Sequence, residues 1–180
     1  VFVALFLVVG LLIRVDSPGP VLFKHRRVGK DGREFDAYKF RTMHEGAENM
    51  QAELEKQNEA SGPLFKIRND PRVTRIGAWL RKTSLDELAQ IINVLRGEMS
   101  WVGPRPGTPK EVAQYEPWQL KRVTVLPGMT GLWQVSGRSD VSFAEMCLLD
   151  IYYIENWSLE LELRIILQTI PNMLIGRGAY

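Results

Sequence analysis

Cysteine and histidine are almost absent from this chain of 180 residues. Cys147 is the single cysteine, and His25 and His44 are the only histidines. One cysteine can form neither an internal disulfide nor a cysteine-based zinc cage. The sequence therefore excludes a disulfide scaffold and fits a reducing compartment such as the cytosol.

Common catalytic and nucleotide-binding motifs are also missing. The sequence contains no phosphate-binding P-loop, no dinucleotide glycine fingerprint and no His-Glu-x-x-His metal motif. It has no nucleophile elbow either, so a Ser-His-Asp triad would depend on His25 or His44 without that turn. Acid–base, phosphate-binding and metal chemistry must then fall on carboxylates, arginines and lysines.

No strong charge of either sign marks the chain. Its formal net charge is +2 and its sequence pI is about 8.7. This mild excess does not indicate a nucleic-acid binder, and we predict no nucleic-acid partner. With 45% hydrophobic and 24% charged residues, the composition is globular, and the length suits one domain with its own core.

The apolar run at the start of the chain is too short to span a bilayer. Residues 1–13 are apolar except for Gly10, and Arg14 follows them. Thirteen helical residues rise about 20 Å, whereas the hydrocarbon core of a bilayer is about 30 Å thick. A truncated transmembrane helix, a re-entrant or interfacial anchor and a buried core helix all remain open. A signal peptide is disfavoured, because no small-residue cleavage site follows the run.

A cluster of basic residues follows the apolar run. Its members are Lys24, His25, Arg26, Arg27, Lys30 and Arg33. Each Lys or Arg near an anionic membrane surface adds about 1 kcal/mol of attraction. An apolar anchor followed by basic residues is typical of a two-signal membrane attachment. This interpretation is favoured over a core helix beside a solvated, charged hairpin.

Hydrophobic periodicity and turn residues predict an α+β fold that is mainly helical with a small β-hairpin. Strands are expected at 21–28 and 34–40, around a Gly-Lys-Asp-Gly turn. Helices are expected at 45–59, 72–82, 85–96, 110–121, 142–155 and 159–175. Two Gly/Pro-rich loops, 99–109 and 126–138, separate these helices.

Two adjacent carboxylates, Asp86 and Glu87, form the strongest candidate catalytic group. Ser84 precedes them and is expected to cap the following helix, placing both carboxylates in its first turn. Helix-start amides favour negative charge, so Asp86 is expected to stay ionised as a nucleophile or metal ligand. Its neighbour would then hold Mg²⁺, which prefers oxygen ligands. The alternative is an ordinary capping box, because Ser-x-x-Glu is also a structural signature.

Several cationic residues accompany this pair. Arginine binds phosphate through two parallel hydrogen bonds, and converging cations suit a diphosphate substrate. Any one of them alone is more often a surface charge, but loop positions favour function. The set comprises Lys39, Arg41, Arg72, Arg75, Arg81, Lys82, Arg105 and Arg138, of which Arg105 and Arg138 lie in the Gly/Pro-rich loops.

Seven ordered motifs resemble the bacterial sugar transferases, the monotopic polyprenyl-phosphate phosphoglycosyl transferases. The motifs are Lys39-Phe40-Arg41-Thr42-Met43, Asp70-Pro71-Arg72, Ser84-Leu85-Asp86-Glu87-Leu88, Asn93-Val94-Leu95-Arg96-Gly97-Glu98-Met99-Ser100, Val102-Gly103-Pro104-Arg105-Pro106, Pro127-Gly128-Met129-Thr130-Gly131 and Gln134-Val135-Ser136-Gly137-Arg138. Asp150-Ile151-Tyr152-Tyr153 continues the match. The resemblance covers nearly the whole chain, and the ordered set is far more specific than any single motif.

The resemblance implies a two-step transfer. A UDP-sugar binds with Mg²⁺, Asp86 attacks the sugar-bearing phosphate, and UMP leaves. Undecaprenyl phosphate then takes the phosphosugar from the covalent aspartyl intermediate. Glu87 would bind the metal, and Lys39, Arg81 and Arg105 match cationic positions of the family expected to contact phosphate. Arg138 is a further phosphate-binding candidate.

The resemblance also implies a location in the cell. The family's anchor is a re-entrant helix bent at a Ser-Pro, so residues 1–15 are expected to be only its second, outgoing half. Residues 16–180 would form the catalytic domain on the cytoplasmic face of the bacterial inner membrane, in contact with membrane lipids. The C-terminal residues resemble long members of the family that carry upstream helices, and a homodimer is compatible with this picture. Such members start capsule, exopolysaccharide or O-antigen synthesis, and the residues do not identify the sugar.

Two other functions compete with the transferase. A non-catalytic membrane scaffold explains the anchor and the basic cluster, but not the Asp86-Glu87 pair together with Lys39 and Arg105. A soluble phosphohydrolase with Asp86 as nucleophile would release free sugar phosphate without a lipid acceptor. Mg²⁺-dependent UDP-sugar binding and lipid dependence therefore separate the three.

Overall fold

The computed structural model describes residues 2–59, 62–65, 67, 69–137 and 141–175. The α-helices are α1 (Phe2–Asp16), α2 (Gln51–Leu54), α3 (Arg75–Thr83), α4 (Ile91–Leu95), α5 (Pro109–Val112), α6 (Leu132–Ser136), α7 (Phe143–Glu155) and α8 (Leu159–Ile175). The strands are β1 (Leu22–Val28), β2 (Glu34–Phe40), β3 (Ser100–Val102) and β4 (Gly128–Thr130). Short 3₁₀ turns occupy Lys30–Gly32, Ala47–Met50, Glu55–Gln57, Leu85–Gln90 and Gln119–Val123. The mixture of helices with a small antiparallel hairpin confirms the predicted class.

The predicted hairpin is confirmed. Strands β1 and β2 pair antiparallel from Leu22 opposite Phe40 to Val28 opposite Glu34. Asp31 and Gly32 take left-handed backbone conformations in the connection, where turn residues with positive φ are required. The buried Asn93 ties this hairpin to α4, since its amide accepts from Tyr38 N and donates to Asp36 O.

Helix α1 packs one face on the protein body and leaves the other exposed. Val9 and Ile13 are buried in a cluster with Phe40, Leu80 and Ala89. The outward residues are apolar as well, and they include Val3, Leu7, Val8, Leu11, Leu12 and Val15. Among the helices of the described residues, none combines the length and the apolar character needed to cross a membrane. The cluster joins α1 to α3 and to the turn that carries the two candidate carboxylates.

The end of α1 is fastened to the body by polar contacts. Asp16 Oδ2 accepts a hydrogen bond from Ile76 N in the first turn of α3. Arg41, buried directly after β2, donates from its three guanidinium nitrogens to the carbonyls of Ser17, Pro18 and Pro20. The turn after α1 is therefore held against the strand that carries Lys39.

The two Gly/Pro-rich loops meet in a short parallel strand pair that the sequence did not predict. β3 and β4 align Ser100 with Gly128 and Val102 with Thr130. A Cβ on Gly103 would lie 2.7 Å from Leu126 O, so only glycine allows this close approach of the backbones. The pairing fixes the start of the loop that carries Arg105.

Three predicted helices differ in the structure. The segment expected as one helix at 45–59 forms short 3₁₀ and α turns, and 110–121 contains only α5 before Pro117. The segment 85–96 begins as a 3₁₀ turn and becomes α-helical only at Ile91. In contrast, α7 and α8 are confirmed, and Ser142 and Glu145 form a capping box at the start of α7.

Candidate active site

The turn that carries the candidate carboxylates starts from a left-handed residue. Ser84 has φ 55°, and its N–H bonds to the carbonyls of Arg81 and Leu80 at the end of α3. Its side chain makes no capping hydrogen bond to the turn Leu85–Gln90 within the described structure. The predicted Ser84 cap and the alternative capping box with Glu87 are both wrong, because Ser84 terminates α3 and Glu87 pairs with Lys39 of β2.

Lys39 of β2 reaches both carboxylates, but at different distances. Its Nζ lies 2.6 Å from Glu87 Oε1 and 4.0 Å from Asp86 Oδ2. Asp86 is 8% exposed, whereas Glu87 is only half-buried. The ammonium group thus neutralises Glu87 directly and leaves Asp86 with a weaker electrostatic partner.

This asymmetry separates the protonation behaviour of the two acids. Burial raises the pKa of Asp86 to about 6, with Lys39 opposing the rise and Glu87 adding to it. Burial also acts to raise the pKa of Glu87, but the charge and hydrogen bond of Lys39, with Arg105 and Arg27, outweigh it and lower that pKa. Asp86 is thus still expected to be ionised at pH 7, but burial makes it more basic than an ordinary helix-start carboxylate.

A small, partly open cavity lies beside this pair. Three cationic side chains, Arg27, Lys39 and Arg105, line it together with Glu87. The remaining lining comes from Ala37, Gln90, Pro106, Gly128, Met129 and Gln134. Asp86 is not part of the lining, but its Oδ2 lies 4.0 Å from Nζ of Lys39, which is part of it. Converging cations in a concave site suit a substrate with several phosphate oxygens.

Arg27 is a functional candidate that the sequence argument missed, because it was grouped with surface charges of the basic cluster. It is buried, donates to Pro106 O at 3.0 Å, and lies 3.6 Å from Glu111 Oε2. Burial lowers its pKa to about 10, so it remains charged at pH 7. The hairpin register was the available signal, since Arg27 lies opposite Phe35 and so shares the face of Phe35 and Ala37.

His25 contacts Arg27 and is neutral. Its Nδ1 lies 3.0 Å from Arg27 Nη2. Burial lowers the pKa of His25 to about 3, and the charges of Arg27, Lys39 and Arg105 act in the same direction. A neutral ring nitrogen accepts a hydrogen bond and so orients the arginine without adding positive charge.

The loop that presents Arg105 is held by a buried ion pair behind it. Arg122 donates to Asp150 Oδ2 and, at 3.1 Å, to the carbonyl of Arg105. Both members of the pair are almost fully buried, and Tyr115 accepts a further hydrogen bond from Arg122. Burial raises the pKa of Asp150 to about 6 against the opposing charge of Arg122.

The other cationic candidates have different roles. Arg81 donates to Thr42 Oγ1 at 2.9 Å and lies outside the cavity lining, although its charge acts on Asp86. Arg41 holds the turn after α1, and Arg72 forms a buried pair with Asp70 at 2.6 Å. Arg138 lies outside the described residues. The structure therefore brings Lys39, Arg105 and Glu87 to one cavity, with Asp86 and Arg81 beside it.

The pair of carboxylates is the candidate magnesium site. In the described part of the chain, no group of three or more His, Cys, Asp or Glu side chains converges as a metal cage. Mg²⁺ usually takes one or two carboxylates and completes its shell with water and substrate phosphates. Glu87, ionised and lining the cavity, fits that donor set.

The sequence of the chain is similar to known proteins along its length. The family model described as bacterial sugar transferase matches residues 1–176. The galactosyl transferase CpsE of Streptococcus agalactiae is 47% identical over 178 residues, which cover 98% of this chain and 39% of CpsE. The exopolysaccharide production protein ExoY of Rhizobium meliloti is 44% identical, over 99% of this chain and 81% of ExoY.

A third relative carries a more specific name. The UDP-glucose:undecaprenyl-phosphate glucose-1-phosphate transferase of Caulobacter vibrioides is 40% identical over 190 residues, covering 99% of this chain and 66% of the relative. The chain thus spans about two fifths of the length of CpsE and about two thirds of this third protein.

Proposed function

The chain belongs to the bacterial sugar transferase family, and we propose that it moves a sugar-1-phosphate from a UDP-sugar to polyprenyl phosphate, with undecaprenyl phosphate as the acceptor. One relative is named for that transfer with UDP-glucose, and another for exopolysaccharide production. The proposed reaction is the first membrane step in the synthesis of an exopolysaccharide, capsule or O-antigen.

Asp86 is the proposed nucleophile. One of its carboxylate oxygens attacks the phosphorus that bears the sugar, and the bond from this phosphorus to the bridging oxygen breaks. UMP leaves, and the phosphosugar is esterified to Asp86. An oxygen of the polyprenyl phosphate then attacks the same phosphorus, the bond to Asp86 breaks, and the free carboxylate is restored as the lipid diphosphate-sugar forms.

This assignment is supported above all by the different distances from Lys39 Nζ to the two carboxylates. Glu87 is engaged by the ammonium at 2.6 Å and has a lowered pKa, which suits a residue that binds cations. Asp86 lies 4.0 Å from the same ammonium, and its pKa of about 6 makes it the more basic acid while leaving it ionised at pH 7. The more basic carboxylate is the better nucleophile.

The surrounding cations would bind the diphosphate and stabilise charge on the leaving UMP. Lys39, Arg105 and Arg27 line the cavity, and Arg81 acts on Asp86 from outside it. We propose Mg²⁺ as the cofactor, held by Glu87; when bound, such an ion neutralises phosphate oxygens.

We further propose that the protein lies at the inner membrane with its catalytic residues on the cytoplasmic side, and the exposed apolar face of α1 supports the membrane contact. Leu7 and Leu11 are about two-thirds exposed while Val9 and Ile13 hold the helix on the body. A helix buried on one face and apolar on the other can enter lipid while the protein stays beside the bilayer.

A UMP-release assay over a panel of UDP-sugars tests the function and identifies the donor. Membranes that carry the full-length protein, supplied with undecaprenyl phosphate and Mg²⁺, are expected to release UMP and to form lipid diphosphate-sugar. Asp86→Asn should abolish UMP release and labelling of the protein by radioactive phosphosugar. Asp31→Asn, the same exchange at the exposed hairpin turn, is the matched control and should keep both.

Three results would contradict the proposal in different ways. Normal turnover by Asp86→Asn would remove the nucleophile assignment. Free sugar phosphate formed without lipid would indicate a phosphohydrolase, and the absence of UDP-sugar binding would favour a non-catalytic scaffold.

A further inference from the structure

Gln134 lines the cavity, and its side-chain oxygen is a buried acceptor without a partner among the described residues. It lies on α6 and lines the same space as Lys39, Glu87 and Arg105. A buried polar atom is normally paired, and an unpaired one calls for an explanation by strain, water or a ligand.

Packing does not explain the presence of a carboxamide at this position. The neighbouring Leu132 and Val135 anchor α6 in a cluster with Val102, Tyr153 and Ile165. Gln134 is absent from that cluster and lines the cavity instead, close to the Gly131 backbone. An apolar side chain would fill the same space without leaving an acceptor unsatisfied.

The chemistry of the cavity indicates which part of a ligand Gln134 would contact. The cations Arg27, Lys39 and Arg105 match phosphate oxygens, which are acceptors. A carboxamide oxygen needs a donor, so it does not match an ionised phosphate. In a UDP-sugar, the available donors are the hydroxyls of the ribose, the hydroxyls of the transferred sugar and the ring N–H of uracil.

We propose that Gln134 Oε1 accepts a hydrogen bond from an O–H or N–H group of the nucleotide-sugar and so helps to select the donor substrate. The inference rests on the proposed transferase function, because that function supplies the ligand. Gln134 is then a substrate-binding residue on the wall of the cavity that also holds the phosphate-binding cations.

The test replaces the carboxamide with an apolar side chain of similar shape. Gln134→Met is expected to raise the KM for the UDP-sugar about tenfold or more, with a smaller change in kcat, because the bound donor group loses its acceptor. Gln114→Met, the same exchange at an exposed residue after α5, is the control and should leave KM unchanged. Thermal melting of both variants checks folding, and Gln134→Leu replaces Gln134→Met if the latter does not fold.

Binding of UMP by the full-length protein separates the possible sources of the hydrogen bond. If uracil is the donor, Gln134→Met weakens UMP binding about tenfold, and wild-type protein loses a similar factor for UMP methylated at N3. If a ribose hydroxyl is the donor, Gln134→Met weakens UMP binding, but wild-type protein binds the N3-methylated UMP normally. If a hydroxyl of the transferred sugar is the donor, UMP binding is unchanged and only the KM for the UDP-sugar rises. Each of these results supports the proposal.

Unchanged KM and unchanged UMP affinity in Gln134→Met would overturn it, and Gln134 would then bind only water. Failure of the proposed function looks different: the wild-type protein would release no UMP from any UDP-sugar. In that case, the effect of Gln134→Met on UMP binding alone decides whether Gln134 contacts a nucleotide.

Discussion

Asp86 and Glu87 are neighbours in the chain, yet one lysine gives them different chemical characters. Glu87 shares a short ion pair with Lys39, whereas Asp86 is more deeply buried and more distant from the ammonium. Pairs of titratable groups whose environments move their pKa values apart are the usual basis for a division of catalytic labour. Two predictions follow from the raised pKa of Asp86.

The first concerns the pH dependence of UMP release. Only ionised Asp86 can attack phosphorus, and its pKa is raised to about 6. We expect kcat/KM to fall as the pH drops through about 6, and to approach a tenfold loss for each further unit. A pH profile with a stable UDP-sugar measures this. A constant rate down to pH 4.5 would show that Asp86 titrates much lower.

The second concerns stability. The folded protein binds the Asp86 proton more tightly than the unfolded chain, whose ordinary pKa is 3.8. The contribution of Asp86 to the free energy of unfolding is therefore largest below pH 3.8, and it is lost as the pH rises through about 6. Asp86→Asn should raise the free energy of unfolding by as much as about 3 kcal/mol at pH 7 and by much less near pH 4. Denaturant unfolding at the two pH values checks this, and equal effects at both would contradict it.

At the scale of elements, the loop of Arg105 is held from two sides. β3 and β4 fix its start, and the buried pair of Arg122 with Asp150 holds the carbonyl of Arg105 itself. Arg122 is thus expected to position Arg105 without touching the substrate. Its removal should affect substrate binding as well as folding.

Arg122→Met leaves Asp150 buried without its cation and should lower the free energy of unfolding by about 3–5 kcal/mol. Lys121→Met is the control. It breaks an exposed ion pair with Glu155 and should change the free energy of unfolding by no more than about 1 kcal/mol. In the double variant Arg122→Met with Asp150→Leu, stability should largely return, because the buried charge is gone.

Substrate binding should not recover with stability. The KM for the UDP-sugar should be raised in Arg122→Met and should stay raised in the double variant, since Arg105 has lost its support. Full recovery of KM would limit Arg122 to a structural role.

The sequence predicted the hairpin, α7 and α8 because their signals are local: a turn between two short strands, and hydrophobic residues at helical spacing. It did not predict β3 and β4, whose three-residue strands contain little local pattern and depend on contact between two distant loops. The turn at 85–90 was misjudged because Ser84 adopts a left-handed conformation, which is rare for a residue other than glycine. For the site, Lys39, Glu87 and Arg105 were foreseen as a group, whereas Arg27 and Gln134 are identified only by burial against the cavity.

At the scale of the whole molecule, the basic cluster after α1 does not act as one surface. Arg26 pairs with Glu34 and Asp36, and Arg27 is buried at the cavity. Lys24, Lys30 and Arg33 are exposed. Attraction to anionic lipid would then depend on fewer charges than the sequence suggests, and the apolar face of α1 becomes the main expected contact.

Substitution of that face tests the attachment. Leu7→Asn with Leu11→Asn should reduce flotation of the full-length protein with anionic liposomes several-fold, because two exposed apolar side chains would no longer enter lipid. Leu120→Asn is the control, since the turn Gln119–Val123 contacts the tip of the hairpin, at the end remote from α1. Equal flotation of all variants would show that other segments carry the attachment.

The three hydrogen bonds from Arg41 to the turn after α1 have a geometric consequence. Arg41 stands two residues after Lys39, so the depth of α1 in lipid would set the height of the Lys39 ammonium above the plane of the acceptor phosphates. The distance from the catalytic residues to the membrane surface would then be set by the position of α1 in the bilayer. Bilayers of different thickness would present the acceptor at different heights, and turnover would have an optimum in lipid chain length.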